Sequence, residues 1–113
     1  MDTLNTPVRV AEEFRVVTGV SDAEAVVRLV GELDCATAPI LRDSVDDLRA
    51  QGVSRVVMDM AQLTFIDSSG LRELVVALTR QREVGGEVVL QGPSPQTMRV
   101  LDMVGLSRVF TIL

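Results

Sequence analysis

The fold of this chain is indicated most clearly by residues 56–80, VVMDMAQLTFIDSSGLRELVVALTR. An apolar run ends at Ile66, and Asp67-Ser68-Ser69-Gly70 then opens a segment whose apolar residues recur at helical spacing. This pattern predicts a strand-to-helix junction that carries two serine hydroxyls. The first backbone N–H groups of the helix and the positive end of its dipole lie beside side chains at such a junction.

The turn and helix-cap residues in the rest of the chain predict the element order β-β-α-β-α-β-α-β. Strands alternate with helices after a hairpin, which indicates a mixed, mostly parallel sheet with helices packed on it. The predicted strands are residues 14–18, 25–30, 55–60, 87–91 and 109–113, with a turn at 19–24. The predicted helices begin near Thr37, Ser68 and Ser94, and residues 1–7 are expected to be a flexible tail.

Length and composition exclude several classes of function. At 113 residues, with 47% apolar residues, the chain is expected to form a single domain, 1–113. Scattered arginines, a net charge of −5 and three aromatic residues argue against nucleic-acid binding. There is neither an apolar run of membrane-helix length nor a secretory signal. We therefore expect a cytoplasmic protein that contacts neither nucleic acid nor membrane.

The residue types give catalysis little support. The chain has no histidine, so the usual base near neutral pH is missing and Cys35 has no partner to activate its thiol. Asp34 and Asp67 could act as an acid–base pair, but carboxylates are common before helices for structural reasons. Asp34, Asp59 and Asp67 match no metal-ligand spacing, and glycine-rich nucleotide motifs are absent. We expect no enzyme, cofactor or metal.

The Asp67-Ser68-Ser69-Gly70 segment has a structural interpretation as well as a functional one. Asp and Ser are preferred helix N-caps, and Glu73 could help to hold the first turn. From these four residues alone, capping is the favoured interpretation. Structural roles are also expected for three other groups, namely Cys35 as a half-buried apolar residue, Met98 and Met103 as core residues, and Asp43, Asp46 and Asp47 as a solvated helix face.

Three blocks of the sequence resemble those of STAS domains. The first is VGELD at 30–34 with Thr37-Ala38, and the second is VMDM at 57–60 with LTFIDSSGL at 63–71. The third is GGEVVL at 85–90, followed by Pro95 and VLDMVGL at 100–106. The resemblance runs from about residue 14 to 113, with the blocks in the right order and spacing. Among STAS domains, the chain is similar to bacterial anti-sigma factor antagonists, also called anti-anti-sigma factors.

The resemblance implies a phosphorylation site at Ser68, because in that family the hydroxyl directly after the aspartate of the second block is the phosphoacceptor. It places Asp34 beside Ser68, and we expect an exposed Asp34 carboxylate that serves partner recognition rather than stability. The expected partner-binding residues are Asp34, Asp67, Ser69, Gly70, Leu71 and Arg72. Arg72 departs from the glycine usual in the family and adds a bulky cation to this surface.

The resemblance also implies the partners. The unphosphorylated protein would bind an anti-sigma factor that is itself a serine kinase, and would thereby free a sigma factor. Phosphorylation of Ser68 would end that binding, and a serine phosphatase would restore it. Two alternatives from the same family stay open: a scaffold subunit of a stress-sensing complex, and an accessory subunit of a transport ATPase. The intact Asp67-Ser68-Ser69-Gly70 segment favours the phosphorylation switch.

Overall fold

The structure is a computed structural model that describes residues 8–11 and 14–113. It contains one six-stranded mixed sheet and three α-helices. The strands are β1 (Val8–Ala11), β2 (Phe14–Ser21), β3 (Glu24–Leu33), β4 (Arg55–Ile66), β5 (Glu87–Gln91) and β6 (Thr111–Ile112). The helices are α1 (Ala38–Ala50), α2 (Ser68–Glu83) and α3 (Pro95–Met103), and a 3₁₀ turn follows at Leu106–Arg108. The predicted α/β class is confirmed.

The order of the strands across the sheet is the order along the chain. β1, β2 and β3 pair antiparallel, whereas β4, β5 and β6 each pair parallel to the strand before them. Each parallel pair is joined by a helix. Because the chain crosses the sheet in one direction, crossovers of one hand place all three helices on the same face.

A single hydrophobic core fills the space between this face of the sheet and the helices. β3 contributes Ala25, Val27 and Leu29 at alternating positions, as expected for one face of a strand. The helices contribute apolar residues at helical spacing, which are Leu41, Val45 and Leu48 of α1, Leu74, Ala77 and Leu78 of α2, and Leu101 of α3. Met98 packs against this core, but Met103 is 84% exposed, so its predicted core role is wrong.

The first half of the chain differs from the prediction in strand number and length. β1 was not predicted, because four residues show too little periodicity to be recognised, and the predicted tail at 1–7 lies outside the described residues. The predicted turn at 19–24 shrinks to Asp22 and Ala23, with Asp22 at a φ of 55°. β4 continues to Ile66 instead of ending at Met60, because its last residues stay paired with β3 across two register shifts.

The end of the chain also differs from the prediction. A strand was expected over residues 109–113, but β6 has two residues. Gly105 takes a left-handed φ of 79° and starts the 3₁₀ turn, which uses the residues before Val109. α3 begins at the predicted place, and Ser94 caps it, since its hydroxyl accepts the Thr97 N–H at 3.1 Å.

A buried glutamine joins α2 to the start of β4. Gln81 is fully buried, and its amide nitrogen donates to the carbonyls of Val53 and Ser54 at 3.1 and 3.0 Å. Its amide oxygen accepts from Arg49 of α1 at 3.1 Å. The Ser54 carbonyl also accepts the Glu87 N–H at 3.0 Å, whereas the Val53 carbonyl has no second donor among the described residues. Gln81 therefore satisfies a buried acceptor in the α1–β4 connection.

We predict that Gln81→Leu lowers the free energy of unfolding by about 1–3 kcal/mol, because it leaves the buried Val53 carbonyl without its donor and removes one of the two donors of the Ser54 carbonyl. Gln96→Leu, at an exposed position of α3, is the matched control, with an expected change within about 0.5 kcal/mol. Urea unfolding followed by circular dichroism measures both. Equal stability of the Gln81 variant and the wild type would show that Gln81 is dispensable.

Candidate functional site

The site is positioned by the pairing of β3 with β4. Leu33 and Ile66, the last residues of these strands, are register partners, and the Asp67 N–H donates to the Leu33 carbonyl at 3.2 Å. The carboxyl ends of parallel strands lie at one edge of a sheet, where ligand sites of α/β proteins form. Asp34 and Asp67 therefore follow neighbouring strand ends, and both α1 and α2 begin at this edge.

The start of α2 presents the two serine hydroxyls. Asp67 is the N-cap in an extended conformation, and its carboxylate accepts the Gly70 N–H at 3.1 Å, which confirms the capping interpretation. The Ser68 side chain is exposed and that of Ser69 is half-buried. Neither N–H of these serines meets an acceptor among the described residues, so both are free to bind an anion.

Asp34 is built into the turn that starts α1. It is half-buried, and its Oδ1 accepts the N–H groups of Ala36 and Thr37 at 3.0 and 3.1 Å. Thr37 occupies the N-cap position of α1 but makes no side-chain capping bond, because its hydroxyl accepts the Asp34 N–H at 2.8 Å and donates to the Glu32 carbonyl at 2.9 Å. The Asp34 carboxylate is therefore a local structural acceptor, and the expectation of a freely exposed group is wrong.

Gly70 is not part of the exposed surface; it allows the start of α2 to pack closely against the ends of β3 and β4. It is buried, and a Cβ at this position would stand 2.8 Å from the Ile66 Cγ1 and from the Leu33 Cγ and carbonyl oxygen. Leu71 is half-buried and packs against the core. Of the expected partner-binding residues on α2, Arg72 presents the largest exposed side chain.

A groove of about 410 Å³ lies between the starts of α1 and α2. Its lining is Cys35, Ala38, Arg42, Ser69, Arg72, Glu73, Val76 and Arg80. Cys35 is exposed here, so its predicted half-burial is wrong. The reason is that the thiol lies in the turn between Asp34 and α1, where it does not pack into the core.

An ion pair that the sequence did not reveal crosses the floor of this groove. Glu73 is buried and accepts from the Arg42 Nη2 and Nε at 2.7 and 3.1 Å, so it joins α2 to α1 instead of holding its own first turn. Hydrogen bonding and attraction to this carboxylate raise the pKa of Arg42. On the predicted solvated face of α1, Asp43 and Asp47 are exposed, but Asp46 is half-buried and pairs with Arg49 and Arg80.

Phe65 is a surface residue that sequence reasoning missed. It lies two residues before Asp67 and is 46% exposed, although it belongs to an apolar run that predicts burial. The register shifts of β4 turn Phe65 outward while Leu63 and Ile66 stay buried. An exposed aromatic ring three residues before Ser68 suits a surface that contacts another protein, because aromatic residues are enriched in protein interfaces.

The edge of the sheet presents groups that can bind a partner or an anion. Within the described residues, no group of three metal-ligating side chains forms, and no helix is long and apolar enough to cross a membrane. The functional groups at the edge are an exposed hydroxyl, free helix N–H groups, arginines and an exposed ring.

Comparison with known proteins identifies the family. The STAS domain model matches residues 13–113, nearly the whole chain. The chain belongs to the STAS domain family. It is 33% identical over 88 residues to an anti-sigma F factor antagonist of Paenibacillus polymyxa, covering 77% of this chain and 75% of that one. It is 29% identical to an anti-sigma-B factor antagonist of Bacillus subtilis (strain 168), covering 76% and 78%. These relatives are named as regulators, not as enzymes.

Solved structures share the fold of this STAS protein. The unphosphorylated form of the anti-sigma factor antagonist SpoIIAA superposes with a TM-score of 0.74 at 24% identity, covering 96% of this chain and 87% of that one. The phosphorylated form of SpoIIAA, a Bacillus cell fate determinant, gives a TM-score of 0.67 at 24% identity, covering 96% and 90%. The same fold therefore exists with and without a phosphate.

We predict that Asp34→Ala lowers the free energy of unfolding by about 0.5–2 kcal/mol, because two N–H groups of the α1 turn lose their acceptor. Asp34→Asn is the matched control and should stay close to wild type, since its amide oxygen accepts the same bonds. Thermal and urea unfolding compare the three proteins. A stable alanine variant would mean that the carboxylate serves recognition alone.

We predict that Gly70→Ala destabilises the protein by about 1–3 kcal/mol, because the added methyl overpacks the contact with Leu33 and Ile66. Gly19→Ala is the control, since no atom lies within 4 Å of its Cβ position. Equilibrium unfolding measures both variants. A Gly70→Ala protein that is fully stable, yet fails to bind its partner, would make Gly70 a partner contact.

Proposed function

We propose that this STAS protein is an anti-sigma factor antagonist whose binding is switched by phosphorylation of Ser68. The observation that carries the proposal is the exposed Ser68 hydroxyl at the first position of α2, directly after the capping Asp67. The named antagonists among its relatives support the same function. The site of action is the cytoplasm, where transcription is regulated.

Unphosphorylated, the protein binds an anti-sigma factor through the edge where α1 and α2 begin. The contact surface includes Asp34, Ser69, Arg72 and the exposed ring of Phe65. Binding withdraws the anti-sigma factor from its sigma factor, which then becomes available for transcription. Neither step requires this chain to break a covalent bond.

The anti-sigma factor is also the serine kinase. It binds ATP and magnesium and contributes the catalytic groups, while this chain contributes a fixed hydroxyl. Phosphorylation adds about −1.5 to −2 charges at Ser68, close to Asp34 and within the contact surface. Repulsion and the cost of desolvating the phosphate then oppose association, and a serine phosphatase reverses the change.

The fold accommodates this phosphate without rearrangement. The free N–H groups of Ser68 and Ser69 lie at the positive end of α2, which favours an anion by about 0.3–1 kcal/mol when exposed. The packing of Gly70 against Leu33 holds the first turn of α2 in place. Phosphorylation therefore changes the charge of the surface and leaves the fold intact.

A pull-down from the organism that encodes the chain tests the function. The immobilised protein should retain a protein whose sequence carries a histidine-kinase-like ATP site, and incubation with ATP and magnesium should release it. Retention of a large assembly of STAS subunits, or of a transport ATPase, would instead support the scaffold or the transport alternative.

We predict that Ser68→Ala abolishes phosphate uptake from the captured kinase and preserves binding, because it removes the hydroxyl without changing the charge of the surface. Ser69→Ala, one position further along α2, is the matched control and should be phosphorylated normally. Intact-protein mass spectrometry after incubation with kinase and ATP measures the uptake. Undiminished phosphate on the Ser68→Ala protein would place the modification elsewhere.

A further inference from the structure

The groove between α1 and α2 carries a charge opposite to that of the whole protein. Three arginines and one carboxylate line it, whereas the chain has a net charge of −5. Its apolar lining is limited to Ala38 and Val76 beside the Cys35 thiol. A groove of this composition attracts anionic groups more than an apolar ligand, which needs mainly hydrophobic walls.

The three arginines differ in how strongly they are already paired. Arg42 is bound to Glu73 by two short contacts. Arg80 is half-exposed and reaches Asp46 at 3.4 Å, which is a weak ion pair. Arg72 is exposed and has no ion pair among the described residues. Arg72, supported by Arg80, is therefore available to an incoming carboxylate.

We propose that this groove receives an acidic segment of the partner protein, with Arg72 as its main anchor. The proposal rests on the proposed function, in which that partner is the anti-sigma factor, and adds the chemistry of the contact. An arginine guanidinium binds carboxylates through paired N–H donors, which favours an acidic side chain in this position. Charge complementarity is local, since a partner that was acidic all over would be repelled by the net negative charge.

The position of the groove explains how a phosphate on Ser68 would stop binding. Ser69 lines the groove, and Arg72 follows Ser68 by four residues on the same helix, a spacing at which side chains meet. A phosphate on Ser68 therefore attracts Arg72 and repels carboxylates at the mouth of the groove. It competes with the acidic segment for the same guanidinium.

The test uses the unphosphorylated full chain and N-acetyl-hexaglutamate amide as the probe, with hexaglutamine as the neutral control. Amide NMR shifts should concentrate at residues 35–38, 69–73 and 76, and should disappear in high salt. Arg72→Glu should weaken hexaglutamate binding at least about fivefold. Arg99→Glu on α3 changes the net charge equally, lies outside the groove, and should keep the affinity within about twofold.

The single cysteine allows a second measurement without a charge change. Cys35 lines the groove, and N-ethylmaleimide attached to it should block the peptide, whereas Cys35→Ser should bind normally. Shifts spread over the surface, equal losses in the Arg72 and Arg99 variants, or undiminished binding to the blocked protein would overturn the proposal. Inorganic phosphate that binds as tightly as hexaglutamate would also overturn it, because the groove would then be a small-anion site.

This experiment requires neither the kinase nor the sigma factor. If hexaglutamate does not bind, while Ser68→Ala still captures the anti-sigma factor, the groove proposal fails and the proposed function stands. If the peptide binds as described, but no anti-sigma factor is retained, the acidic-segment chemistry stands and the identity of the partner is wrong.

Discussion

The parallel pairing of β3 with β4 is the constraint on which the rest of the site depends. It brings the last residues of the two strands, Leu33 and Ile66, side by side, and so fixes where α1 and α2 begin. A shift of one residue would turn each strand's core side chains to the opposite face. The buried residues of both strands therefore hold the register, and with it the distance between the Asp34 turn and Ser68.

The site is rigid for local reasons that follow from this register. Gly70 lets α2 approach the end of β3 more closely than any side chain would allow. The Asp34 carboxylate holds the turn before α1, and the Asp67 carboxylate caps α2. The two aspartates thus use their charge at helix starts, where carboxylates are favoured by the backbone N–H groups.

The protein has a net negative charge, but the side chains that line the groove between α1 and α2 have a net positive charge. Glu73 is buried, and its ion pair with Arg42 joins the two helices that form the groove walls. Arg80 is paired with Asp46, whereas Arg72 has no ion pair among the described residues and lies four residues after Ser68. In the proposed switch, a phosphate on Ser68 and the groove therefore act on each other through charge over a few residues of one helix.

The sequence by itself determined the α/β class, the three helices, the buried strands and the capped serine junction, because local periodicity and capping residues encode them. Tertiary structure alone decided four features. β1 and the second half of β4 exist because a neighbouring strand pairs with them. Phe65 points outward because the register shifts. Arg42, Arg72 and Glu73 line one groove because side chains distant in sequence meet only after the helices pack.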